Sequence, residues 1–221
     1  MDINQIVQTV AIYALPVLFA ITLHEAAHGY VARHFGDMTA YAQGRVSLNP
    51  ARHIDLVGTI LVPIAILVVS KLMGGAGLLF GWAKPVPVNY SALRRPRQNM
   101  LWVAAAGPAA NLAMALGWAM VFKAVDLLPA NYFTQPLMLM GKAGIEVNVI
   151  LMLLNLLPIL PLDGGRIVAS LLPTRIAWGY AKLEPWGFPI LLGLMFMGAL
   201  NVILGPMVAF SFSVLGTLFR I

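Results

Sequence analysis

Long uncharged runs separated by short basic segments set the pattern of the chain. Residues 3–23 carry no charge and lead directly into His24-Glu25-Ala26-Ala27-His28, which predicts a first apolar helix over about 6–31. Residues 56–70 are uncharged but short, and Lys71 closes them. Residues 98–122 are uncharged throughout and long enough to cross a bilayer, which takes about 20 residues. A fourth apolar helix is expected over about 145–157. Residues 185–219 hold no charge over 35 positions, too long for one crossing. Gly205-Pro206 is expected to divide this run, since proline removes a helix hydrogen bond and glycine tolerates the bend.

Two stretches read differently. Residues 41–48 alternate weakly and 86–89 form a second candidate strand, together suggesting a small sheet. Residues 73–88 contain Gly74, Gly75, Gly77, Gly81, Pro85 and Pro87, a content that opposes a stable helix. Irregular backbone at membrane depth is tolerated only where protein covers it or a wet cavity runs beside it, so this apolar segment is predicted to be re-entrant.

Composition narrows the class. Of 221 residues, 60% are hydrophobic and 10% charged, with mean hydropathy +0.85, which excludes a soluble globular domain and points to a polytopic membrane protein. The N-terminal apolar run lacks a basic start and a small-residue cleavage site, so no signal peptide is expected. Cysteine is absent, which removes disulfides and thiolate metal ligands from consideration. A net charge of +6 invites a nucleic-acid reading, but in so apolar a chain basic residues set membrane orientation, and no nucleic-acid partner is expected. Placing the N-terminus outside puts all of the 14 Lys and Arg except Lys71, Lys123 and Lys142 on the cytoplasmic side, Arg220 at the C-terminus included.

The candidate chemistry sits where the first run ends. On a helix His24 and His28 lie one turn apart, about 6 Å along the axis, and project from one face. Two such imidazoles can hold one Zn²⁺, and Glu25 beside them can take a proton from water. The motif fixes only three positions and occurs widely by chance. Its depth gives it weight, because unpaired His and Glu inside a bilayer each cost about a few kcal/mol, and a bound metal removes that cost. His34 is off this face and reads as an ordinary interfacial histidine. A catalytic zinc needs a third protein ligand and leaves a fourth position to water. Asp2, Asp37, Asp126, Glu146 and Glu184 fall in predicted loops or at span edges, and Asp55 lies beside His53. Asp163 ends an apolar run, precedes Gly164-Gly165, and reaches the depth of His28 if both spans end on one side. The other reading of Asp163 is a cap for a helix beginning near Arg166. His53 and Asp55 read as a second metal pair or as a structural contact.

In combination the motifs resemble a known family. His24-Glu25-Ala26-Ala27-His28 in an early span, Gly107-Pro108-Ala109-Ala110-Asn111 in the middle, and Asn155-Leu156-Leu157-Pro158 leading to Asp163-Gly164 are similar to the site-2 proteases, intramembrane zinc metalloproteases. Asn49-Pro50 with His53-Ile54-Asp55, and the segment from Gly81 to Val88, resemble the compact bacterial branch; no stretch reads as a PDZ or CBS domain. The resemblance implies one zinc per chain on His24, His28 and Asp163, with Glu25 as catalytic base. It matches Asn111 to the family's central asparagine, facing substrate or the developing oxyanion; the alternative is a hydrogen bond between helices. Asn155 binds an unwound substrate or a neighbouring helix. Val86 and Val88 are candidate donors for strand addition by substrate.

The expectation is an all-α polytopic membrane protein with about six membrane segments, a three-helix catalytic core plus extra spans, and a small re-entrant or β element near the cytoplasmic mouth. It forms one domain over 1–221, with its core at about 6–172 and C-terminal spans at about 185–220. The implied partners are a transmembrane protein or peptide substrate and the bilayer, in a bacterial plasma membrane with the site toward the cytoplasm. A metal transporter is the rival reading, but it would show ligands spread along a path and inverted repeats. A non-proteolytic homologue would lack the glutamate, and Glu25 is present.

Overall fold

A computed structural model describes residues 3–62, 65 and 83–220. Eight α-helices occur among them: α1 Ile3–His34, α2 Thr39–Ala42, α3 Pro96–Asp126, α4 Thr134–Asn155, α5 Asp163–Leu171, α6 Thr174–Ala181, α7 Glu184–Phe196 and α8 Ala199–Phe219. Four of these, α1 (from Val7), α3, α4 and α8, are long and apolar enough to span a membrane.

Helix α3 is central and packs against α1, α4 and α5. Its inward face is a row of small residues, with Ala104, Gly107, Ala115 and Ala119 all buried, which lets neighbouring backbones approach without an internal hydrophobic driving force. Ala115 and Ala119 meet Ile145, Val149 and Leu153 of α4 and Leu215 of α8 in one apolar cluster. A second cluster, Ala32, Leu93, Met100 and Val103, seals the junction between the end of α1 and the start of α3.

Several expectations are corrected. The run 185–219 gives one membrane-length helix, not two: α7 has 13 residues, about 20 Å, shorter than the length a crossing takes. The break falls at Gly198, whose φ of 72° is the left-handed conformation that favours glycine after a helix end, whereas Pro206 is accommodated inside α8. No strand is present among the described residues. Tyr41 and Ala42 finish α2, and a turn at Gly44 follows. Val86 to Asn89 is extended, but carboxylates rather than a second strand receive its Val86 and Asn89 N–H groups. Of the second apolar stretch, Leu56–Leu61 is π-helical and most of the remainder lies outside the described residues, as does the re-entrant segment up to residue 82.

The ends of the bundle also differ from expectation. Val103 and Asn111 of α3 face His28 and His24 of α1, so the two helices run antiparallel; Tyr13 of α1 bonds Glu146 of α4, and these two run parallel. Helix α8 returns along the bundle, and Lys123 Nζ at the far end of α3 donates to the Arg220 carbonyl at 3.1 Å. The C-terminal end of α8 therefore lies away from the histidines, not on their side. One membrane-length helix after α4 replaces the expected pair, because α7 stays short.

Candidate metal centre

The final turns of α1 present His24 and His28 toward α3, and α5 brings in the carboxylate. The two Nε2 atoms lie 3.1 Å apart. Asp163 Oδ2 lies 3.2 Å from His24 Nε2 and 3.4 Å from His28 Nε2. All three residues are buried, and they are the one cluster of three metal-capable side chains among the described residues. The edges of this triangle match the spacing of about 3.3 Å that ligands about 2.0–2.1 Å from a tetrahedral zinc would have. Asp163 Oδ2 is buried with no hydrogen-bond donor, an unfavourable state for a carboxylate unless a cation meets it. Two imidazole nitrogens and one carboxylate oxygen form a donor set that zinc accepts, with one position left over.

The outer nitrogens of both rings face acceptors. His28 Nδ1 lies 2.7 Å from the Val103 carbonyl and His24 Nδ1 lies 2.6 Å from Asn111 Oδ1. Both rings thus donate from Nδ1 and turn an Nε2 lone pair inward, the arrangement that orients metal-bound histidines generally. Gly107 makes the approach of α3 possible. A Cβ there would stand 2.5 Å from His28 Nε2 and 2.6 Å from His24 Nε2, inside the space that an ion would take.

Asp163 is the first residue of α5, so the helix begins at the ligand itself and not near Arg166. Gly164 and Gly165 serve close packing: a Cβ on Gly164 would meet the Leu156 carbonyl oxygen at 2.2 Å. Tyr180 ties α6 to the same connection by donating to the Pro158 carbonyl at 2.8 Å; burial raises its phenol above the ordinary value and keeps it a donor.

Beside the ligands opens a cavity of about 810 Å³. His24, Glu25, His28, Asn155, Asp163 and Arg166 supply its polar lining, within a wall that is otherwise mostly apolar. Glu25 is half-buried, and its Oε2 accepts the Val86 N–H at 2.7 Å. Residues 83–89 form an extended strap that lines the cavity and is tied at several points. Lys84 N–H donates to the His53 carbonyl at 2.9 Å, Arg45 Nη2 donates to the Lys84 carbonyl at 2.8 Å, and buried Asp37 accepts the Asn89 N–H at 2.6 Å.

The expected site residues divide into two groups. His24, Glu25, His28, Asp163, Asn155, Val86 and Val88 all border the cavity. Asn111 does not; it is fully buried behind His24, and its Nδ2 donates to Asn148 Oδ1 at 2.9 Å and to the Ala20 carbonyl at 3.3 Å. Its amide is thus engaged by His24 and by acceptors on α1 and α4. Asn155 donates to the Leu151 carbonyl of its own helix at 3.0 Å. His53 is buried with Nε2 2.8 Å from the Ser47 carbonyl, and Asp55 accepts the Gly58 N–H at 2.6 Å at the start of the π-helical turn, so both make structural contacts. His34 is exposed, as expected. Glu146, expected at a span edge, lies within α4 and accepts the Tyr13 hydroxyl at 2.9 Å. Sequence reasoning missed Asn148; its available signal was an asparagine within the apolar run that follows Glu146.

Comparison with known proteins places the sequence among relatives. The chain is 37% identical over 198 residues to a Bacillus subtilis protein named "Putative zinc metalloprotease YwhC", covering 87% of this chain and 84% of that protein. It is 30% identical over 188 residues to "Putative zinc metalloprotease Rip2" of Mycolicibacterium smegmatis, covering 83% of this chain and 66% of the relative. A Rip2 of Mycobacterium tuberculosis is 30% identical over 172 residues, and the chain spans about half of its length, 54%. No family model matches the chain, and no solved structure does.

Proposed function

The chain belongs to the site-2 protease family, and from that premise we propose that it hydrolyses peptide bonds within or beside the membrane-spanning segments of other proteins, using one zinc ion held by His24, His28 and Asp163. The observation that carries this reading is the convergence of three ligand atoms, 3.1–3.4 Å apart, on an apolar cavity in a bundle of membrane-length helices.

Zinc, when bound, supplies a Lewis acid that polarises a carbonyl and lowers the pKa of water. The remaining chemistry belongs to the chain. Glu25 holds and moves the proton: Oε1 or Oε2 takes it from the attacking water and returns it to the leaving amine. Asn111 acts as a positioning residue through His24. The mostly apolar cavity wall suits an extended segment with apolar side chains. A transmembrane helix must unwind to enter, because its carbonyls are otherwise engaged in i to i−4 bonds. The strap offers Val88, and Val86 when Glu25 releases it, as backbone donors to the unwound chain, and Asn155 lines the same cavity. The ten Lys and Arg flanking the histidine end, from Arg33 to Lys182, support an orientation of that end toward the cytoplasm of a bacterial plasma membrane.

Purified protein in lipid discs, incubated with transmembrane peptides and analysed by mass spectrometry, should give discrete products. Chelator should abolish them and added zinc restore them. Glu25→Gln should keep stoichiometric zinc and lose at least ~10²-fold in rate. Turnover in that variant close to wild type would assign the base to another group.

A further inference from the structure

Behind the metal site, two asparagines from different helices form a chain of amides that ends on a ligand. Asn111 and Asn148 are both fully buried. Asn148 Nδ2 donates to the Gly144 carbonyl, one turn back in α4, at 2.8 Å. A backbone carbonyl only accepts, so this contact settles which way the Asn148 amide points and directs Oδ1 toward α3. Asn111 Nδ2 lies 2.9 Å from that oxygen and 3.3 Å from the Ala20 carbonyl, again two acceptors, which turns its own Oδ1 toward His24. The oxygen then lies 2.6 Å from His24 Nδ1, and two acceptors cannot face each other at that distance, so Nδ1 carries the proton.

We propose that Asn148 is a positioning residue for the metal centre: through Asn111 it holds His24 in the Nδ1–H tautomer and aims the Nε2 lone pair at the ion. Each link has one permitted direction, so the orientation chosen at a helix carbonyl of α4 is transmitted across α3 to a ligand on α1. The second ligand has no such relay, because the Val103 carbonyl meets His28 Nδ1 directly at 2.7 Å. Burial strengthens the relay. With no water to substitute for a lost partner, an amide flip in either asparagine would place donor against donor or acceptor against acceptor. The relay also joins α1, α3 and α4 at the depth of the site, so its polar groups serve bundle assembly as well as tautomer choice.

The inference rests on the metal-site reading given above, and the test separates the two. Full-length protein in lipid discs is stripped with chelator and titrated with zinc against a competing chromophoric chelator. Wild type should bind one ion. Failure to do so would sink the metal-site reading and this inference with it. If wild type binds, Asn148→Leu should still take up one ion but with affinity ~10- to 100-fold lower, the usual loss when a partner behind a ligand is removed. Asn111→Leu should weaken binding at least as much, and the double variant should be no worse than Asn111→Leu alone, since both act through one bond to His24. Affinity within about twofold of wild type for Asn148→Leu, or additive losses in the double variant, would overturn the relay while leaving the metal site standing. A measurement on wild type alone guards against misfolding of the variants. The chain has 4 histidines, so ¹⁵N-histidine labelling of the zinc-loaded protein gives a countable spectrum. His24 should show a protonated, hydrogen-bonded Nδ1 and a metal-bound Nε2. Metal binding through Nδ1 would refute the proposal outright.

Discussion

The two sides of the histidine pair are built in opposite ways. Behind it, every polar atom of Asn111 and Asn148 has a protein partner, neither residue is exposed, and three long helices supply the atoms. In front of it, Glu25 is half-buried at the edge of a cavity, and its carboxylate takes one backbone N–H from a strap outside regular secondary structure. The difference separates two demands. Holding an ion requires ligand lone pairs fixed within fractions of an ångström, which a closed network in a low-dielectric interior provides. Moving a proton requires a group that can change partners, which a single exchangeable hydrogen bond at the cavity edge permits.

The largest effect is expected at Asp163, whose Oδ2 closes the triangle with both histidines. Asp163→Ala should abolish zinc retention after dialysis and with it all peptidase activity. Full occupancy by elemental analysis would show that the carboxylate is not a ligand. A smaller effect should separate the front from the back. Val86→Pro removes the N–H that Glu25 accepts and should lower kcat ~10- to 100-fold through displacement of the base, with zinc content unchanged. Val86→Ala keeps the N–H and should stay close to wild type, so equal losses in both variants would mean that packing, not the hydrogen bond, matters there. The smallest expected change lies well away from the ion. Tyr13→Phe deprives the Glu146 carboxylate, within α4, of its hydroxyl donor. It should cost about 1–3 kcal/mol of stability in thermal unfolding while leaving zinc affinity intact. A loss of zinc affinity would show that the back of the site extends farther down the bundle than the asparagine relay.

The front was more legible in the sequence than the back. His24, Glu25 and His28 follow from one local spacing on one helix, and Asp163 from the depth at which an apolar run stops. The cavity-lining positions Val86 and Val88 were reachable because a segment rich in Gly and Pro cannot be an ordinary span. The direction of their hydrogen bonds was not reachable. A period-two pattern suggests a strand, yet Asp37 and Glu25, remote in sequence, take the Asn89 and Val86 N–H groups that a ladder would otherwise use. Asn111 was visible as a motif residue, but a motif does not say which neighbour its amide faces.

Hydrophobic run lengths, one helix-spaced pair of histidines and the scarcity of acids thus determined a helical chain with spans long and apolar enough for a membrane and a candidate metal site at His24, His28 and Asp163, because each of these signals is local or compositional. Tertiary structure alone decided that α7 stops short and sends the C-terminal end to the far side, that Gly107 leaves room beside the ligands, and that Asn148 stands behind His24. Each of those depends on which surfaces meet across helices far apart in the chain. Run length and composition do not encode that meeting, since every apolar face in a bilayer-spanning bundle can pack on lipid or on protein at similar cost until small residues and paired amides select the partner.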